Sequence, residues 1–263
     1  MTSIIIQGQG VVGQATELFL KNFNPSIDVV FNDPPKGIIA NDTAWTEAQY
    51  LIICVNTNLD ESLPIPENST ANVDSAINEA LEKGFTGKIV LRSTSSIESV
   101  QKLIELFGDD LIVWPEYIRE ATWREDAMNP SVIVLGGDAK EFSDLVTSYP
   151  GLTIITDPLE AMIAKLSTNT FLAMKVIFAN QVSQLCEAQG ASYDVVKQLL
   201  THEGRLGVSH WSVPGTDGVP GFGGKCFPKD VKTFEAALIK SGIHIDLIRA
   251  ITVLNESMRS NEQ

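Results

Sequence analysis

The sequence predicts an α/β protein in two parts: a doubly wound parallel sheet over residues 1–156, then an all-helical domain over 157–263 with a long central helix. Three observations carry this. In the first part, apolar runs of strand length alternate with amphipathic stretches of helix length. A glycine-rich turn joins the first run to the first stretch. After Thr156 the alternation gives way to one uninterrupted helical period.

The elements follow in order. "SIIIQG" leads into "QATELFLKNF" and then "IDVVFND". "QYLIICVNT", "VDSAINEALEKG", "KIVLRST", "SIESVQKLIELFG", "DLIVW", "SVIVLGG", "EFSDLVTSY" and "LTIIT" continue the pattern. Continuously apolar strands separated by amphipathic helices mean a parallel sheet covered on both faces. Residues 158–189 read as one helix that is apolar nearly all the way round, with Leu159, Met162, Leu166, Phe171, Val176 and Phe178 among its apolar positions. Such a helix is buried on most sides, so it is expected to pack against the first domain and against a second subunit, giving a homodimer. Two further helices are expected near 229–240 and 246–258.

Composition narrows the function. The chain has 263 residues, 44% hydrophobic and 20% charged, with a formal net charge of −14. So acidic a protein repels phosphate backbones and anionic lipid, so neither nucleic acid nor a membrane is an expected partner. "MTSIIIQGQG" has no basic region and no small-residue cleavage site, which argues against a signal peptide. No unbroken apolar run approaches the roughly 20 residues that span a bilayer. Three widely spaced cysteines argue for a reducing, cytoplasmic setting rather than a disulfide framework. Cys54 and Cys186 lie in apolar periodic stretches and read as core. Cys226 does not. No metal-ligand set is proposed.

Four stretches carry chemistry. "GQGVVG", Gly8 to Gly13 with Gly10, Val11 and Val12 between them, follows a strand pattern and opens a helix. This is the Rossmann-type dinucleotide turn, in which the helix N-terminus faces a pyrophosphate. Asp33 follows the second strand, where a carboxylate bonds ribose hydroxyls and repels a 2′-phosphate, so NAD is the expected cofactor. "KLSTN" sets Lys165 and Asn169 on one helix face. They serve either as oxyanion donors or as an ordinary polar helix edge. "WPEYIRE" follows a strand C-terminus, so Glu116, Arg119 and Glu120 either point to the cofactor crevice or form a solvated turn. "GFGGKCFPKD" combines three glycines, a thiol flanked by Lys225 and Lys229, and Asp230 at the start of a helix. The lysines favour thiolate; Asp230 can serve as a base or hold a water. A nicotinamide domain with a reactive thiol can carry an alcohol through an aldehyde to a carboxylate, by way of a thiohemiacetal and a thioester.

These stretches resemble the nucleotide-sugar dehydrogenases, of the UDP-glucose 6-dehydrogenase and GDP-mannose 6-dehydrogenase type. The resemblance runs through "GQGVVG", "ICVNT", "RST", "PEYIREATWREDAMNP", "KLSTNTFLAMKVIFANQ", "GRLG" and "GFGGKCFPKD", in that order. It implies that Cys226 is the nucleophile, that Lys165 and Asn169 stabilise the oxyanion, and that Asp230 and Thr94 handle protons through a water. It implies a part for Glu116 in forming or hydrolysing the thioester. It assigns Val55, Thr57, Thr94 and Glu120 to the cofactor, and Glu116, Tyr117, Arg119, Lys165, Asn169, Arg205, Phe222 and Gly223 to a nucleotide-sugar substrate. Two NAD are used per sugar in such enzymes. The chain departs from the family in the short Asp33–Cys54 segment and in "TSSIES". It ends at "LNESMRSNEQ", where the family continues into a nucleotide-gripping third domain, so a short form with weak discrimination between UDP- and GDP-sugars is expected. Two other readings stand beside it. One is a β-hydroxyacid dehydrogenase of 6-phosphogluconate dehydrogenase-like architecture, which has no use for the cysteine loop. The other is a non-catalytic dinucleotide-binding subunit.

Overall fold

A computed structural model describes residues 2–260. The chain divides into two compact units. The first holds the chain up to Asp60 together with Asn68–Lys165; the second holds Glu61–Glu67 together with the chain from Leu166 onward. The division thus falls inside the long helix, not ahead of it at 156, and it assigns a short loop of the N-terminal half to the second unit.

The first unit is built on a seven-stranded sheet. Its strands are β1 (Ser3–Gln7), β2 (Asp28–Asn32), β3 (Tyr50–Ile53), β6 (Lys88–Leu91), β7 (Leu111–Val113), β8 (Val132–Gly136) and β9 (Leu152–Thr156); two two-residue strands, β4 (Leu59–Asp60) and β5 (Glu67–Asn68), lie outside it. The order is β2-β1-β3-β6-β7-β8-β9. Neighbours run parallel except β7 and β8, which are antiparallel and meet at Val113 and Gly136. The expected parallel sheet is therefore broken at that one step. Ile4, Ile5 and Ile6, Leu51 to Ile53, and Val90 and Leu91 have no exposed surface. Strands buried on both faces read as unbroken apolar runs. β9 departs from this pattern: it is one of the two edge strands, and Leu152, Ile154 and Ile155 are exposed.

Helices cover the sheet: α1 (Val11–Phe23), α2 (Asp42–Glu47), α3 (Ala71–Glu82), α4 (Ile97–Phe107), α5 (Trp123–Met128) and α6 (Lys140–Asp144). Asn41 and Ser96 cap α2 and α4 by accepting from the main-chain amides of Ala44 and Ser99. An aromatic cluster of Phe19, Phe23, Trp114, Tyr149 and Phe142 closes one side of the core.

α7 (Pro158–Ala188) matches the long helix expected over 158–189. Among the described residues it is the one helix long and apolar enough, by length and composition, to cross a membrane; half of its most apolar window is buried inside the protein. The sequence-based expectation of no such segment counted only unbroken apolar runs. Lys165, Asn169, Lys175 and Asn180 interrupt those runs, yet all four are buried, the pattern of a core helix.

The second unit contains α8 (Tyr193–His202), α9 (Phe227–Lys240) and α10 (Asp246–Ser260). Its core joins Ala173, Val176 and Ile177 to Phe222, Val231, Ile248 and Ile251. α8 is absent from the sequence-based reading, although Ser192 caps it through the amide of Val195.

Candidate active site

In the first unit, the glycine turn has the form its sequence predicts. Gly10 is the N-cap of α1, and no side chain caps that end. A Cβ on Gly13 would lie 2.0 Å from the Gly8 carbonyl oxygen, so only glycine lets helix and strand approach this closely. At Gly10 a Cβ would meet nothing within 4 Å, which leaves the helix N-terminus open to an anion. Val11 and Val12 begin α1 behind it. Asp33 stands one residue past β2, and its carboxylate accepts from the Gln9 amide at 2.7 Å. Lys36 lies 3.3 Å from the same oxygen. These residues fit a dinucleotide: an open helix N-terminus for the pyrophosphate and a carboxylate beside it for the ribose. Buried Gln7 and Asn32, with half-buried Glu79 of α3, cross-link the strand ends beneath the turn, with Gln7 donating to Glu79 at 2.7 Å.

The loops after β3 and β6 are tied together. Thr57 donates its hydroxyl to the Thr94 carbonyl at 2.6 Å, and the Asn68 amide donates to the same oxygen at 3.0 Å. The Val55 carbonyl accepts from Ser93. Thr57 therefore has a structural role in addition to the cofactor contact expected of it. Cys54 lies beneath, and burial pushes its thiol up to about 11, which makes it an inert core residue.

Lys165, on α7, and Glu116, after β7, form an ion pair of 3.2 Å with both side chains buried. The other Glu116 oxygen accepts from the Ile118 amide at 2.8 Å. The Lys165 ammonium lies 5.1 Å from the centre of the Tyr117 ring. Burial, and then the Glu116 charge, raise the Tyr117 hydroxyl above its ordinary range. Arg119 is exposed and paired with Asp126 at 2.6 Å; Asp126 is held below the usual carboxylate range chiefly by that bond. Glu120 is exposed at the start of a short 3₁₀ turn.

In the second unit, Asp230 is fully buried in the first turn of α9. Asn169 donates its side-chain amide to one Asp230 oxygen at 2.6 Å, and Lys229 reaches the other at 2.6 Å. Lys229, expected to act on the thiol, thus has its ammonium on the carboxylate. Cys226 is an exposed thiol at the N-cap of α9, a position where the helix dipole favours an anion. Arg205 is exposed and pairs with Glu203. Phe222 is expected at the substrate; its ring belongs to the core of this unit and lies 6.4 Å from the ring of Phe227.

The sequence reading missed what holds the cysteine loop. Asn255 and Arg259 stand one turn apart on α10. The Asn255 side-chain Oδ1 accepts from the Phe222 amide at 2.7 Å, and a Cβ on Gly221, whose φ is +83°, would come within 2.5 Å of that oxygen. Arg259 donates to Asp217 at 2.7 Å, and its guanidinium fills the space a Cβ on Gly223 would need. Thus Gly221 and Gly223 serve loop packing. The polar i, i+4 pair within "LNESMR" was the available signal.

Residues 159–257 match the UDP-glucose/GDP-mannose dehydrogenase family, central domain. A UDP-glucose 6-dehydrogenase of Streptococcus pneumoniae is 29% identical over 231 residues, covering 82% of this chain. The chain spans 56% of that relative's own length. A UDP-glucose dehydrogenase from the hyperthermophilic archaeon Pyrobaculum islandicum superposes with a TM-score of 0.82 at 22% identity, covering 98% of this chain and 68% of the other. A 3-hydroxyisobutyrate dehydrogenase of Mycobacterium tuberculosis shares the fold, with a TM-score of 0.77 at 19% identity, covering 98% of this chain and 93% of the other. Both enzymes share the fold; the residues matched by the family model, 159–257, include the cysteine loop. Over residues 159–257, therefore, the chain is similar to the central domain of the UDP-glucose/GDP-mannose dehydrogenase family.

Proposed function

We propose that this chain takes part in the NAD-dependent oxidation of the C6 hydroxyl of a nucleotide sugar to a carboxylate, with Cys226 as the covalent nucleophile. The observation that carries the reading is an exposed thiol at a helix N-terminus followed by a fully buried Asp230 that is bonded to Asn169. Neither a simple β-hydroxyacid dehydrogenase nor a purely binding subunit has a use for that arrangement.

NAD, when bound, accepts a hydride at each of two oxidations. The open turn at Gly8, Gly10 and Gly13 would hold its pyrophosphate, and Asp33 its ribose, with Val55, Thr57, Thr94 and Glu120 along its path. Loss of the C6 hydroxyl proton and a hydride leaves an aldehyde. The Cys226 sulfur adds to the carbonyl carbon, and the new C–S bond gives a thiohemiacetal. Loss of its hydroxyl proton and a second hydride leaves a thioester. Water then adds, the C–S bond breaks, and the carboxylate leaves as the thiol regains a proton. Lys165 and Asn169, one turn apart on α7, supply positive charge and a hydrogen-bond donor for the oxyanions. Asp230 and Thr94 position the water, and Glu116 accepts a proton during hydrolysis. Tyr117, Arg119, Arg205 and the main chain at Phe222 and Gly223 are assigned to the sugar nucleotide. The test is product analysis after incubation with NAD and a panel of UDP- and GDP-sugars. The expected product is a uronic acid from at least one of them; no acid from any removes the reading.

Two expectations attach to it. Asp33 should make NAD preferred over NADP, tempered by Lys36 at 3.3 Å. Asp33→Asn should narrow that preference by roughly tenfold, and equal binding of NAD and NADP by the wild type would remove Asp33 from the ribose. The second is a homodimer through α7. Ile163, Phe171, Phe178 and Leu185 form an exposed apolar stripe along that helix, a surface that demands a partner. Sedimentation should give a dimer, shifted toward monomer by Phe178→Asp; a stable wild-type monomer at micromolar concentration contradicts it.

A further inference from the structure

Arg92 follows β6 and is only 6% exposed. Its guanidinium carbon lies 3.8 Å from the centre of the Trp114 ring, which covers one face. Its Nε and Nη1 groups are buried and have no hydrogen-bond acceptor. A buried guanidinium without an acceptor is unusual, because Arg cannot shed its charge to escape the low dielectric. Arg92 lines a cavity of about 320 Å³ in the first unit, near the lower limit for small-molecule sites. Its apolar wall includes Ala15, Phe19, Trp114 and Ile133.

The acids around this cavity do not supply the missing acceptor. Glu116 is engaged by Lys165 and by the Ile118 amide, and Asp126 by Arg119. The cavity shares Glu116, Tyr117 and Arg119 with the residues assigned to the reaction and the sugar, but not the rest of that set. Neither Lys165, nor Thr94, nor any residue of the glycine turn lines it.

We propose that the Arg92 end of this cavity, which adjoins Glu116, Tyr117 and Arg119, is a subsite for a small organic carboxylate whose negative end pairs with Arg92 and whose apolar body lies against Phe19, Trp114 and Ile133. The charge complements the buried guanidinium, and the apolar wall selects a body of matching character over a fully hydrated anion. Trp114 fixes the plane of the guanidinium and so the direction of its donors.

The test is calorimetric titration of the full chain with benzoate, beside benzamide as its neutral isostere and inorganic phosphate as a bodiless anion. Benzoate should bind saturably, with benzamide and phosphate each weaker by about tenfold or more. Arg92→Gln should weaken benzoate by about tenfold or more while NAD affinity stays at the wild-type value. Should that variant fail to fold, the three wild-type titrations decide alone. No saturable benzoate binding, equal binding of benzamide or phosphate, or an unchanged affinity in Arg92→Gln overturns the proposal.

Discussion

Replacing Cys226 by serine should lower acid formation by about a thousandfold or more while leaving NAD affinity unchanged. A hydroxyl is a far poorer nucleophile than a thiol at neutral pH, so the aldehyde has no covalent route to a hydrolysable acyl intermediate. The cofactor turn lies in the first unit and Cys226 in the second, so the substitution leaves the cofactor residues intact. Cys226 is exposed at the N-cap of α9, and serine differs from it by one atom and is itself a favoured N-cap residue, so the substitution should not unfold the loop. Product analysis paired with NAD titration gives the check. Undiminished acid yield from Cys226→Ser would take the thiol out of the mechanism.

The second large effect concerns the buried pair of Lys165 and Glu116. Lys165→Met should destabilise the protein by about 3–5 kcal/mol, because Glu116 would be left as a buried charge without its cation. The double variant Lys165→Met/Glu116→Gln should recover most of that loss, since replacing both members of a buried pair is often close to neutral. Acid formation should be abolished in both, because neither has the ammonium assigned to the oxyanion. Chemical denaturation separates stability from chemistry. A double variant as unstable as the single one would mean that the Lys165 ammonium is held chiefly by groups other than Glu116.

The part of this protein legible in its sequence is the part set by local periodicity. The glycine turn, the Lys165–Asn169 spacing and the cysteine loop each lie within a few residues, so a linear reading finds them. Strand direction is different. β8 is as continuously apolar as its neighbours, because a strand buried on both faces reads the same whether it runs parallel or antiparallel. The supports of the site are also long-range. Asn255 reaches Phe222 across 33 positions and Asp230 reaches Asn169 across 61. Nothing in the pattern around Arg92 signals that Trp114 lies over it. Local spacing indicates which side chains carry chemistry; which partner each one finds depends on packing between distant segments.

The central claim is that one active thiol carries one sugar through two oxidations. The most direct test runs the full chain with limiting UDP-glucose, or whichever nucleotide sugar proves to be its substrate, and excess NAD, counting NADH by absorbance and uronic acid by chromatography. Two NADH per acid, with no free aldehyde accumulating and with iodoacetamide-blocked Cys226 giving no acid, is the result the account predicts. One NADH per sugar with an alcohol-to-aldehyde product, or full acid yield after Cys226 is blocked, would contradict it.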